Sequence, residues 1–248
     1  MRTSRFAAVG SALLLLAATT AVAQPTVGFN LTWGTGCWQD NPTTLKTFSC
    51  DSNEGSATLA ASFVVDRRTY STNLQARIDL QSDSAQLPDW WQLGSPAGCR
   101  SGSLSVSYDF NTAPGGCRIF WPGQAQVTCY WVTTAIPGPY GPVTAPNRAR
   151  LTLDMRAIPQ GTLIPLVAGL EYYAFKVTLD LARTVGPGAC AGCTTPVTIV
   201  LNQLLPGPYQ LSAPLANACL RWQADGVTPC SATPARNSTW GQVKGLYR

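Results

Sequence analysis

This chain of 248 residues contains no histidine and only two glutamates, Glu54 and Glu171. Without histidine it lacks the commonest general base and a common metal ligand, so Ser-His-Asp and Cys-His catalysis are excluded. The sequence also has no Gly-x-Ser-x-Gly and no Ser-x-x-Lys motif. No strand motif links the two glutamates as the carboxylate pair of a glycosidase, and we interpret Glu171 as a structural residue at a strand end. We therefore expect a protein that is not an enzyme, and the alternatives left open are a carboxylate-pair glycosidase and an oxidoreductase that uses Cys190 and Cys193.

Charged residues are scarce as well, at 12% of the chain, and the formal net charge is +5. The basic residues are scattered, and the longest basic run is Arg67-Arg68. Nucleic-acid binding requires a clustered basic patch, so this class of function is excluded. The abundance of uncharged polar residues is typical of exported all-β proteins.

The first 23 residues have the three parts of a secretory signal peptide. Arg2 and Arg5 form the positive start, residues 7–18 the apolar stretch, and Ala21-Val22-Ala23 the cleavage site. The apolar stretch is too short to span a bilayer, and no second long apolar run follows. We expect a mature chain of residues 24–248 that is secreted or periplasmic and does not insert into a membrane.

Period-two alternation of apolar and polar residues is the dominant pattern, and it predicts eight or nine strands, each with one apolar face. Such strands require two sheets packed face to face, so we predict an all-β, antiparallel sandwich of jelly-roll or Greek-key type, forming a single domain over 24–248. A short helical turn is expected near Asp89. The predicted strands lie at 27–33, 59–65, 74–80, 104–110, 127–131, 151–155, 173–181, 197–201 and 220–222.

The C-terminal segment has a different pattern from the strands. Thr239 and Gln242 match a helix capping box, which predicts a short C-terminal helix. The segments TPARNSTWGQVKGLYR, GACAGCTTPVTIVLN and LPDWWQLG resemble a group of uncharacterised exported bacterial Cys-rich β proteins with an RNxTWGxVKxLYR-like tail. Those proteins often have a further cysteine near the position of Val197. The resemblance implies an exported β fold and no known activity.

Nine cysteines in an exported chain predict disulfides and at least one unpaired thiol. Near-neighbour pairing gives Cys37–Cys50, Cys99–Cys117 and Cys219–Cys230, although sequence does not fix connectivity. Cys129 is the candidate free thiol, and its strand position predicts that it is buried; the alternative for this leftover cysteine is an intermolecular bridge.

The spacing of Cys190 and Cys193 fits a redox motif, a local disulfide, or two cysteines that pair elsewhere. A redox site needs this motif at a helix N-terminus, whereas a β pattern follows it here, which disfavours an oxidoreductase. Zinc is disfavoured because a second close cysteine pair is absent.

Two further motifs allow a ligand site. Asp51, Asn53 and Glu54 resemble the start of a calcium loop, although an ordinary turn of Asp and Asn residues has the same sequence. Four tryptophans near turns offer flat faces for stacking on sugar rings, although packing against the ends of the sandwich explains them equally. These are Trp38, Trp90, Trp91 and Trp121, whereas Trp33, Trp131 and Trp222 fall in strands and are expected in the core.

These observations favour an exported, non-enzymatic protein without a cofactor, with a structural or protein-contact role in the cell envelope or outside the cell. The alternative is a carbohydrate-binding module that uses the loop tryptophans, with or without calcium. The corresponding partners are an envelope protein or a polysaccharide.

Overall fold

The computed structural model describes residues 26–94, 98–110, 117–121, 123–134, 143–211 and 217–224. Within this part of the chain there are thirteen strands and one 3-10 helical turn, Asp89–Trp91, where a helical turn is predicted. None of the described helical residues forms a helix long and apolar enough to cross a membrane. The predicted C-terminal helix, with Thr239 and Gln242, lies outside the described residues.

All nine predicted strands are present, and four short strands are added whose two or three residues are too few to show alternation. The strands are β1 (Gly28–Trp33), β2 (Leu45–Lys46), β3 (Ser56–Val64), β4 (Thr69–Ser71), β5 (Asn73–Ser82), β6 (Leu104–Ser107), β7 (Arg118–Ile119), β8 (Ala125–Val132), β9 (Arg148–Ala157), β10 (Ile164–Leu166), β11 (Glu171–Asp180), β12 (Val197–Pro206) and β13 (Cys219–Trp222).

The strands form two main sheets and one small ribbon. The first sheet has the order β1-β3-β11-β6, with β7 also paired to β11, and the second has the order β2-β13-β12-β5-β9-β8. β4 and β10 form a separate two-stranded ribbon. The prediction of purely antiparallel sheets is wrong at two places, because the two-residue strands β7 and β2 pair in parallel with β11 and β13.

One hydrophobic core lies between the two main sheets. Phe63 and Phe175 enter it from the first sheet, and Ile78 and Leu153 enter it from the second. Along β5 the apolar residues are buried and the polar ones between them are half-buried, as the period-two pattern predicts. The shared core gives an all-β architecture and supports the sandwich.

A buried carboxylate organises one edge of the first sheet. Glu171, at the start of β11, is only 1% exposed. Its carboxylate accepts hydrogen bonds from the backbone N–H of Trp38 (2.9 Å) and of Gln39 (3.3 Å), and from the hydroxyl of Ser62. These charge-assisted bonds replace the hydration that the carboxylate loses on burial.

The same edge is covalently fixed beside Glu171. The Cys37–Cys117 disulfide lies in a small second core with Phe110 and Tyr173, whose rings stack at a centroid distance of 4.3 Å. The Tyr173 hydroxyl donates to the carbonyl oxygen of Thr35 at 2.8 Å. Burial, reinforced by nearby carboxylates, raises the pKa of Tyr173 to about 12, so this phenol stays protonated at physiological pH.

We expect Glu171→Gln to lower the free energy of unfolding by about 1–3 kcal/mol, because the amide NH₂ cannot accept the backbone N–H bonds. Urea unfolding followed by tryptophan fluorescence measures this. Glu54→Gln is the matched control, since Glu54 is exposed, and its effect should stay within about 0.5 kcal/mol. Equal effects of the two substitutions would contradict a structural role for the buried carboxylate.

Candidate functional site

The turn that contains Cys190 and Cys193 is a covalent junction. Cys193 is bonded to Cys50, and Cys190 is bonded to Cys99. The two cysteines therefore belong to separate long-range disulfides, and they do not form the dithiol pair that an oxidoreductase needs. Of the alternatives for this motif, the structure shows the one in which both cysteines pair elsewhere.

The near-neighbour pairings Cys37–Cys50 and Cys99–Cys117 are wrong. Strand order brings distant segments together, so the observed bridges span 80, 143 and 91 residues of sequence. Cys219 is also disulfide-bonded, to a partner outside the described residues. Cys230, its predicted partner, is not among the described residues.

Most of the tryptophans predicted to stack on sugars are buried in the core. Trp90 and Trp91 have no exposed surface, and Trp121 is only 4% exposed. Trp90 and Trp91 lie 4.9 and 5.3 Å from the ring of Trp222. The expectation that these three offer a free face to a sugar is wrong, because each face is covered by protein. Trp38 is half-buried, and its described contact is the backbone bond to Glu171.

A fully buried arginine completes the tryptophan cluster. The Arg100 guanidinium lies 3.6 Å from the centroid of the Trp90 ring. Its Nη1 donates to the Trp90 carbonyl at 3.1 Å, and its Nε donates to the Ala182 carbonyl at 3.0 Å. Burial lowers the pKa of Arg100 to about 10, an effect that Asp180 partly offsets. Arg100 therefore joins the 3-10 turn to the segment after β11.

Two side chains of the predicted calcium loop form hydrogen bonds within the protein. The Asn53 side-chain oxygen accepts the backbone N–H groups of Thr184 (2.7 Å) and Val185 (2.9 Å), so it is occupied. The Asp51 carboxylate accepts the hydroxyl of Ser49, and Glu54 is exposed. These hydrogen bonds favour an ordinary turn, and a calcium site at Asp51, Asn53 and Glu54 stays a prediction.

One other group has metal-ligand spacing among the described residues, namely Cys37, Cys117 and Glu171. The two sulfurs are joined in a disulfide, and the carboxylate already accepts three hydrogen bonds. A cysteine binds a metal as a thiolate, and these two sulfurs are held in a disulfide. The group therefore fits a structural cross-link and does not fit a metal centre.

The candidate functional site is instead an apolar surface on the β4–β10 ribbon. Ile164 and Leu166 of β10 point into the core, so the alternate residues point to solvent. Leu163 is 64% exposed, Val167 is 43% exposed, and Tyr70 opposite β10 is 47% exposed. We call the surface formed by Tyr70, Leu163, Pro165 and Val167 the ribbon face.

The ribbon face is held in position from below and bordered by polar groups. The backbone N–H of Val167 donates to the hydroxyl of the buried Tyr172 at 2.9 Å. At the rim, Arg67 donates to the Tyr209 hydroxyl at 2.6 Å and lies 4.8 Å from the centre of its ring. Hydrogen bonds from Thr69 and Arg67 lower the pKa of Tyr209. An apolar centre with a polar rim is the arrangement of protein interfaces.

Cys129 carries the free thiol of the described residues. Its predicted burial is wrong: the side chain is exposed, because β8 is an edge strand that pairs with β9 alone within the described part of the chain. Partial desolvation raises the pKa of the Cys129 thiol, so the reactive thiolate is a small fraction at neutral pH.

No protein-family model and no curated protein matches this chain. Among solved structures there is a distant likeness to AvmM, which is described as catalysing macrocyclization in alchivemycin A biosynthesis. The two chains are 9% identical over 82% of this chain and 92% of that one, with a TM-score of 0.33. A likeness of this size supports no conclusion about fold or activity.

Non-reducing digestion and mass spectrometry should yield peptides linked through Cys50–Cys193 and Cys99–Cys190, because strand topology places these pairs together. Alkylation before reduction should label Cys129, and slowly at neutral pH because its pKa is raised. The labelling rate should increase as pH rises towards that pKa. A Cys190–Cys193 bridge, or both of these cysteines alkylated, would contradict the structure.

Proposed function

We propose that this chain is an exported, non-enzymatic protein that acts through protein contacts in the cell envelope or outside the cell. The exposed apolar ribbon face is the observation that carries the proposal. Soluble proteins rarely leave contiguous large hydrophobic side chains in water without a contact to make. Three disulfides indicate an oxidising extracellular or periplasmic compartment, which agrees with export.

The ribbon backbone is anchored to the core, which supports the use of the ribbon face as an interface. β4 and β10 are paired over three residues, and the apolar side chains on the inner face of β10 anchor the ribbon to the core. The outer side chains are therefore held in place before a partner arrives, which reduces the entropy lost on binding.

The chemistry of the described residues supports a non-enzymatic role. The cysteines of the Cys-x-x-Cys motif are cross-linked, Glu171 is fully hydrogen-bonded, and histidine is absent from the chain. The two-sheet sandwich of jelly-roll or Greek-key type, and membership of the uncharacterised exported bacterial group, belong to the same proposal. Sugar binding through Trp90, Trp91 and Trp121 does not, because their rings are buried.

A photo-crosslinking amino acid placed at position 163 tests the proposal in cells that export the protein. We expect discrete crosslinked adducts, because Leu163 is the most exposed residue of the ribbon face. The mass of each adduct identifies either a second copy or another protein. The same amino acid at Leu45, an exposed apolar residue on β2, is the matched control and should give none.

The double substitution of Leu163 and Val167 by serine is the complementary variant. Both side chains are exposed, so we expect each change to alter the free energy of unfolding by no more than about 0.5 kcal/mol. In this variant the photo-crosslinking amino acid is placed at position 70 instead, and the adducts that it forms in the otherwise unaltered protein should disappear. Denaturant unfolding confirms that the variant is folded. Adducts of equal yield at positions 163 and 45, or none at either, would overturn an interface on the ribbon face.

A further inference from the structure

A pocket of about 410 Å³ lies where the end of β8, the start of β9 and the segment after the 3-10 turn meet. Its volume is within the usual range of small-ligand sites. The lining is aromatic, amide, hydroxyl and guanidinium in character, and its described part contains no carboxylate. The described lining residues are Gln86, Leu87, Gln92, Gly94, Gly98, Trp131, Thr133, Thr134, Pro146 and Arg148.

Arg148 is the unusual member of this lining. It is half-buried, and its Nε is fully buried without a hydrogen-bond partner. Its guanidinium forms no ion pair with a described residue. A partly buried cation without a partner has lost hydration and gained nothing in return, which proteins avoid unless another group supplies the negative charge.

The aspartates nearest in the sheet do not supply that charge. Asp79, opposite Arg150 across β5 and β9, is bound by Arg150 at 2.6 Å. Asp154, further along β9, is bound by Arg156 at 3.1 Å. Arg148 is therefore the arginine of β9 that is left for a ligand with an acidic group.

Trp131 provides the apolar element of the pocket. The side chain is half-buried, although its position in a strand predicts a core residue. Gly94 lies against the indole, because a Cβ at position 94 would lie only 2.3 Å from Trp131 Cδ1. The absence of a side chain at Gly94 therefore lets the Trp131 ring lie in the pocket wall. An indole face is apolar and flat, so it suits the C–H face of a pyranose.

The amide and hydroxyl groups of the lining suit a ligand that carries several hydroxyl groups. Gln92 donates through Nε2 to Asp89 at 3.1 Å, which orients its side chain and leaves the Oε1 oxygen as an acceptor. Gln86 and Thr134 add further donors and acceptors for hydroxyl groups. We propose that this pocket binds an acidic saccharide, with a carboxylate of the sugar on Arg148 and a pyranose ring on Trp131.

Binding of polygalacturonate and glucuronate oligomers, measured by calorimetry, tests this proposal, with their methyl esters as neutral ligands of the same shape. We expect Arg148→Met to weaken binding of the acids by about tenfold or more, because it removes the charged hydrogen bonds. The methyl esters should bind the unaltered protein as weakly as the acids bind this variant. Arg156→Met, on the same strand, is the matched control and should change affinity less than twofold.

Two further readouts separate ligand binding from a structural role of these residues. Without ligand, Arg148→Met should unfold at the same or a higher temperature, because it removes an uncompensated charge. Gly94→Ala should displace the indole, so the acid-induced shift of the Trp131 indole N–H resonance should be lost. No binding of any acid, equal binding of acids and esters, or unchanged affinity in Arg148→Met would overturn the proposal.

Discussion

The packing of the tryptophan cluster depends on one tight turn, from Cys190 to Cys193. This turn is bonded covalently to the loop of Cys50 and to the loop of Cys99. Its Gly192 has a φ of +103°, and a Cβ there would lie 2.2 Å from the Cβ of Pro88. Only glycine permits both the backbone angle and the close approach, so the sequence Cys-Ala-Gly-Cys serves architecture.

The same turn explains why the tryptophans are structural. The carbonyl of Cys193 accepts the indole N–H of Trp222 at 2.7 Å, and the carbonyl of Ala191 accepts the backbone N–H of Trp90 at 2.9 Å. The indole N–H groups of Trp222 and Trp90 are thereby bonded, to Cys193 and to Thr184, while Trp91 is held in the cluster by packing and its buried indole N–H has no partner among the described residues. The cysteine and tryptophan motifs around this turn therefore serve packing. Exposed apolar residues such as Leu163 lie elsewhere, on the ribbon.

Sequence predicted the parts of the structure that local rules determine. The nine strands were found because alternation along a strand such as β5 depends only on its two faces. The disulfide partners of Cys190 and Cys193 were missed, because they depend on which strands become neighbours. The partial exposure of Trp131 was missed for the same reason, since an inward-facing residue is buried in a central strand but not in an edge strand.

Glu171 and Arg148 are two charged side chains with little solvent contact, and they differ in whether their polar atoms have partners. Glu171 broke the polar–apolar pattern of its strand, yet three donors satisfy it, so its burial stabilises the native state alone. Arg148 fits the outward pattern of β9, yet its buried Nε has no partner. A satisfied charge has no remaining capacity for a ligand, whereas an unsatisfied one lowers stability until a ligand binds. For this reason the ligand site that we propose rests on the unpartnered Arg148 and not on Glu171, although Glu171 is the residue that interrupts the sequence pattern.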